Sequence, residues 1–127
     1  MLVLFPSKKL KKVVNNVLIE GKKLPSGVFK NAITTALIAG KIDWSFKFVE
    51  CYKKYVSDIV VEYSLAQIYL EKGEIDRAYN FLPDFPPHET VFYIGAKRLM
   101  LKIFYQKGDY LAIHSILPNF KNYVILF

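Results

Sequence analysis

Gly73-Glu74-Ile75-Asp76-Arg77-Ala78 has two counterparts in this chain. Gly40-Lys41-Ile42-Asp43-Trp44 lies 33 residues before it, and Gly108-Asp109-Tyr110-Leu111-Ala112 lies 35 residues after it. Each glycine follows one apolar-periodic stretch and precedes another. A glycine so placed takes the left-handed conformation that closes a helix, and the aspartate after it is set to cap the next. The spacing predicts a helix–turn–helix unit repeated about every 34 residues.

Working outward, the periodicity is helical throughout. Leu10, Val13, Val14, Val17 and Leu18 fall on one stripe of a helix that begins after Pro6-Ser7. Pro25-Ser26 opens a second helix over 27–39. A third, over 44–56, is capped by Asp43 and carries Trp44, Phe48, Cys51, Tyr52 and Tyr55 on one side. Ser57 or Asp58 opens a fourth to Lys72, with Val61, Leu65, Ile68 and Tyr69 apolar. A fifth runs over 75–82, followed by the stiff connector Pro83-Asp84-Phe85-Pro86-Pro87. Thr90 caps a sixth through Lys107, and a seventh spans 110–117, where Pro118 interrupts it. No period-two alternation is long enough to demand a sheet. The expected fold is an all-α, right-handed α-α superhelix of about seven helices. It divides into a basic N-terminal helix over 1–25 and helix-pair units over 26–57, 58–87 and 88–127.

Composition narrows the function. The chain has 127 residues, 53% of them hydrophobic, and a net charge of +7, which excludes intrinsic disorder. One cysteine, Cys51, excludes an internal disulfide, and with only two histidines no metal or other cofactor is expected. The longest apolar runs fall short of the roughly 18 residues a membrane span needs. Met1-Leu2-Val3-Leu4-Phe5 lacks a basic leader and ends at Pro6. A soluble, cytoplasmic protein is expected. Residues 1–30 hold seven lysines against Glu20 alone, a net of +6, whereas residues 31–127 hold 11 basic and 10 acidic side chains. Lys8, Lys9, Lys11 and Lys12 form a basic patch open to RNA, anionic lipid or acidic proteins. Sixteen of the 18 cations are lysine, which supplies diffuse charge rather than bidentate recognition.

Leu65-Ala66-Gln67-Ile68-Tyr69, followed by Gly73 and Ala78, resembles the tetratricopeptide pattern of Leu, a small residue, Tyr, Gly and Ala at fixed offsets. The third unit keeps Phe104 and its glycine but has Ile113 at the alanine place; the first has Ala36 and Ser45 at the corresponding places. Phe29-Lys30-Asn31-Ala32-Ile33-Thr34, Asp43-Trp44 and Ala96-Lys97-Arg98-Leu99-Met100-Leu101-Lys102-Ile103 also resemble the C-terminal part of longer bacterial repeat proteins of this type. The resemblance covers about residues 26–120 and implies a stack of helix pairs; the tail of a longer solenoid or a homo-oligomer is expected. The apolar Met1–Phe5 and Tyr123–Phe127 are expected to pack on the body or on a second copy.

No catalytic signature appears: GxSxG, HExxH, Walker and GxGxxG patterns are all lacking. Cys51 reads as a buried, inert thiol, His88 as a loop residue, His114 as a packed or surface residue, and Glu71, Glu74 and Asp76 as a charged turn. Under the tetratricopeptide offsets, the first helix of each pair lines a concave groove. Lys30, Asn31 and Thr34 then come from the first unit, Tyr63, Ser64 and Gln67 from the second, and Arg98, Lys102 and Tyr105 from the third. Of the family's five carboxylate-clamp positions only Lys30 matches; Thr34, Ser64, Gly95 and Leu99 occupy the others. The reading is a non-enzymatic module that binds another protein or peptide segment. RNA or another polyanion on the N-terminal helix is the alternative.

Overall fold

Gly40, Gly73 and Gly108 take φ of 76°, 90° and 73°, a region closed to most side chains. Each ends a helix with the same bond, donated by the amide just after the glycine to the carbonyl four residues before it. Lys41 bonds Ala36 at 2.8 Å, Glu74 bonds Tyr69 at 2.9 Å and Asp109 bonds Phe104 at 2.9 Å. The computed structural model describes residues 23–82 and 84–125, together with Lys12, Asn15 and Asn16. Among these residues every regular element is helical.

The elements are α1 (Ser26–Ile38), α2 (Ile42–Tyr52), α3 (Asp58–Lys72), α4 (Ile75–Phe81), α5 (Thr90–Lys107) and α6 (Tyr110–Ile125), with a 3-10 turn at Lys53–Tyr55 extending α2. The helices pair as hairpins: α1 with α2, α3 with α4, and α5 with α6. Each first helix also meets the next first helix (α1 with α3, α3 with α5), and each second helix meets the following first one (α2 with α3, α4 with α5). Small residues five places after the glycines let the first two hairpins close. Ala78 and Ser45 are fully buried there, and the Ser45 hydroxyl donates to the Lys41 carbonyl at 2.9 Å. Ile113, the third counterpart, is only half-buried.

α3 sits at the centre. Its Val60 and Ile68 belong to one apolar cluster, with Phe29, Ile33, Leu37, Phe48 and Val49 of α1 and α2. Its Tyr63 and Ala66 belong to another, with Ala96 and Leu99 of α5 and Phe85 of the connector. A helix buried on two sides has no single apolar stripe, so Leu65, Val61 and Tyr69, which the sequence marks as core, are half-buried while Val60, Tyr63 and Ser64 are buried.

Several expectations are corrected. Six α-helices lie among the described residues rather than seven; the expected first helix lies outside them, apart from Lys12, Asn15 and Asn16, which are helical and exposed. Pro118 does not end the last helix, which continues to Ile125. The proline removes the amide that would bond the His114 carbonyl, and His114, Ser115, Leu117 and Pro118 in that turn are exposed. Of the three aspartates only Asp109 caps, accepting from the Ala112 amide at 3.2 Å; Asp43 and Asp76 sit inside the first turn of α2 and α4 without a cap bond. Cys51 is exposed, because the buried arc of α2 centres on Ser45, Phe48 and Val49 and leaves Cys51 at its edge.

Candidate functional site

The first helices start together. Ser26 of α1, Ser57, Ile59 and Val60 at the head of α3, and Glu89, Thr90, Val91 and Phe92 at the head of α5 line one cavity of about 320 Å³. α1, α3 and α5 therefore run side by side in the same direction, and equivalent residues form rows across them. One row is Lys30–Tyr63–Arg98, and the next, a turn on, is Thr34–Gln67–Lys102.

A direct bond joins the second row: the Gln67 amide nitrogen donates to the Thr34 hydroxyl at 3.1 Å. The Gln67 carbonyl oxygen and the Ser64 hydroxyl are buried without a partner among the described residues. In the first row, Lys30 is half-buried and Arg98 exposed. Tyr63 is not a groove residue but a core residue, which corrects the expectation. The connector after α4 folds back and lays Phe85 edge-on against Tyr63, with ring centroids 5.9 Å apart, while Phe92 of α5 meets it edge-on at 5.5 Å. Ser64, one residue on, is fully buried. Offsets taken from the sequence locate a helix face but say nothing of what a connector lays over it.

The Tyr63 hydroxyl points into the space that a side chain at position 95 would fill: a Cβ on Gly95 would collide with it. Burial pushes the Tyr63 phenol above its ordinary pKa, and the nearby Arg98 guanidinium offsets part of that rise. Gly95 is thus a functional neighbour of the face that sequence reasoning missed. Its signal was a glycine in mid-helix with no turn to make.

What remains open to solvent is Asn31, Arg98, Lys102 and Tyr105, with Lys30, Thr34 and Gln67 half-exposed. Lys30, Arg98 and Lys102 make no ion pair among the described residues, whereas Lys53, Lys72, Arg77 and Lys107 elsewhere each do. Such a face offers cations, amides, a hydroxyl and one exposed ring.

The other marked residues do not join it. His88 and His114 are exposed and apart, and no group of three or more His, Cys, Asp or Glu able to hold a metal occurs among the described residues. Glu74 bridges Lys72 and Arg77 at 3.2 Å each, and Asp76 pairs with Lys107 at 2.8 Å. Lys8, Lys9 and Lys11 lie outside the described residues. Among the described residues no helix is long and apolar enough to cross a membrane. No protein-family model, curated protein or solved structure matches the chain.

Proposed function

We propose that this chain is a tetratricopeptide-like right-handed stack of helix pairs. On this reading it works as an interaction module rather than an enzyme. A segment of a partner protein lies across the α1–α3–α5 face. One observation supports the proposal: the heads of α1, α3 and α5 line one cavity, and on these three helices Lys30, Arg98 and Lys102 make no ion pair among the described residues while Asn31, Thr34, Gln67 and Tyr105 are at least partly exposed. Amide and hydroxyl groups there can satisfy a peptide backbone, and Tyr105 offers flat area at low entropic cost. A cytoplasmic setting belongs to the same proposal, supported by the free, exposed thiol of Cys51, which an oxidising compartment would leave unprotected.

The test compares capture of protein partners from bacterial lysate with a salt-dependent shift of labelled single-stranded RNA. Arg98→Ala with Lys102→Ala is expected to weaken protein capture while helicity and melting temperature stay almost unchanged, since both side chains are exposed. Capture that survives this pair but fails when Lys8, Lys9, Lys11 and Lys12 are neutralised refutes the face. RNA binding with steep salt dependence would then make the N-terminal helix the site.

A further inference from the structure

The contact between successive units repeats residue for residue. Phe46, six places after Gly40, meets Tyr69, four places before Gly73, with ring centroids 5.2 Å apart, and the Lys72 ammonium lies 5.5 Å from the Phe46 centroid. Tyr79, six places after Gly73, meets Phe104, four places before Gly108, at 5.7 Å. The Lys107 ammonium lies 5.7 Å from the Tyr79 centroid and bonds the Asp76 carboxylate at 2.8 Å. Each second helix thus presents a ring, and the next first helix covers it with a ring and, three residues later, a lysine.

α6 is the third second helix, and its corresponding face is bare. Six places after Gly108 stands His114, exposed. Beside it Leu111 is 84% exposed, Tyr110 63% and Leu117 44%. The counterpart of Leu117 in the first hairpin is Val49, which is 1% exposed because it joins Val60 and Ile68 of α3 in one cluster. The counterpart of Tyr110 is Ile42, packed against that cluster. The same positions that α3 covers on α2 are therefore apolar and open on α6.

We propose that this face of α6 docks an amphipathic helix of another protein, seated on α6 as α3 sits on α2 and α5 on α4. The chemistry of α6 specifies the occupant. Leu111 stands where the earlier units have Asp43 and Asp76, and the stretch Tyr110–Ile125 contains no acidic residue. A lysine arriving there would find neither carboxylate nor phenol ring. The occupant carries a ring opposite His114 and an aliphatic side chain three residues later against Leu111. None of the described first helices of a second copy fits that description. α3 and α5 are already engaged, and α1 has Ala36 and Ala39 at the ring and lysine places, with Ala36 fully buried. The proposal concerns a different surface from the α1–α3–α5 face and stands whether or not that face binds anything.

The probe is a stapled, fluorescein-labelled peptide with the 18-residue α5 sequence Thr90–Lys107 carrying Lys107→Leu. That places Phe104 and the new aliphatic side chain three residues apart. Fluorescence anisotropy against the full chain is expected to show saturable binding. Leu111→Asp in the protein is expected to weaken it about tenfold or more, as is Phe104→Ala in the peptide. Leu111 is exposed, so unchanged helicity and melting temperature in Leu111→Asp confirm that folding is intact. Absence of saturation up to roughly 1 mM peptide, or equal binding to Leu111→Asp, overturns the proposal. So does concentration-dependent dimerisation of the wild type that Leu111→Asp abolishes, because the occupant is then a second copy.

Discussion

Gly95→Ala separates local helix preference from packing. In an exposed helix interior the change stabilises by about 1 kcal/mol, because alanine gives up less backbone entropy. Position 95 is different. A Cβ there would sit well inside contact distance of the Tyr63 hydroxyl, and at 3.1 Å and 3.3 Å from the Cζ and Cε1 ring carbons. Tyr63 has little room to retreat, since it meets the stacked rings of Phe85 and Phe92 edge-on. Forcing an atom into such packing costs about 1–3 kcal/mol, so the net expectation is a destabilisation of about 1 kcal/mol. For a chain of this size that lowers Tm by about 4 °C. Tyr63→Phe removes the closest atom and leaves ring contacts that shifts of a few tenths of an ångström relieve. In that background Gly95→Ala should be neutral or stabilising, giving a coupling of about 1–3 kcal/mol in a double-mutant cycle. Urea and thermal melts of the four proteins supply the numbers. If Gly95→Ala raises Tm equally in both backgrounds, the Tyr63 hydroxyl does not occupy that space and the reasoning fails.

Two other outcomes are expected. Asp109→Ala removes the acceptor for the Ala112 amide and should cost about 0.5–2 kcal/mol; loss of amide protection at Ala112, read by hydrogen exchange, would locate the effect at the start of α6. The pKa of the Tyr63 phenol is raised above the ordinary value of 10.0 by burial, so its neutral form is favoured by folding. Its contribution is fully present below pH 10.0 and is lost as pH rises through the folded value. Urea melts above that pH should therefore fall more steeply for wild type than for Tyr63→Phe, and parallel profiles would refute this.

What the sequence makes legible is what local chemistry decides. Gly40, Gly73 and Gly108 mark helix ends because a left-handed residue is required there, whatever lies further away. The helix starts at Ser26, Asp58 and Thr90 follow from proline and polar residues within a few positions. Tyr63 was not legible as core, since its burial depends on Phe85 arriving from the connector after α4. Cys51 misled because it shares α2 with four aromatic residues yet lies at the rim of the arc that α1 and α3 cover. Pro118 misled because a proline's cost depends on whether the carbonyl it frees meets water. The ring-over-ring contacts were written in the spacing, at six places after one glycine and four before the next, but only coordinates give a reason to compare those two offsets.

Among the described residues the substantial helix contacts are all between neighbours and next neighbours along the chain, and that bears on how the molecule forms. Low contact order shortens the search, because little loop-closure entropy must be lost before contacts form. Folding can begin in any hairpin and spread outward. α3 is the element through which it must spread, since both apolar clusters include its side chains. Native-state hydrogen exchange should therefore find the slowest amides in α3. Opening energies should decline toward α6, whose one substantial neighbour is α5. The end that frays most easily is also the one that leaves Leu111 and Tyr110 uncovered, so a helix bound there would slow the exchange of α6 without touching α1.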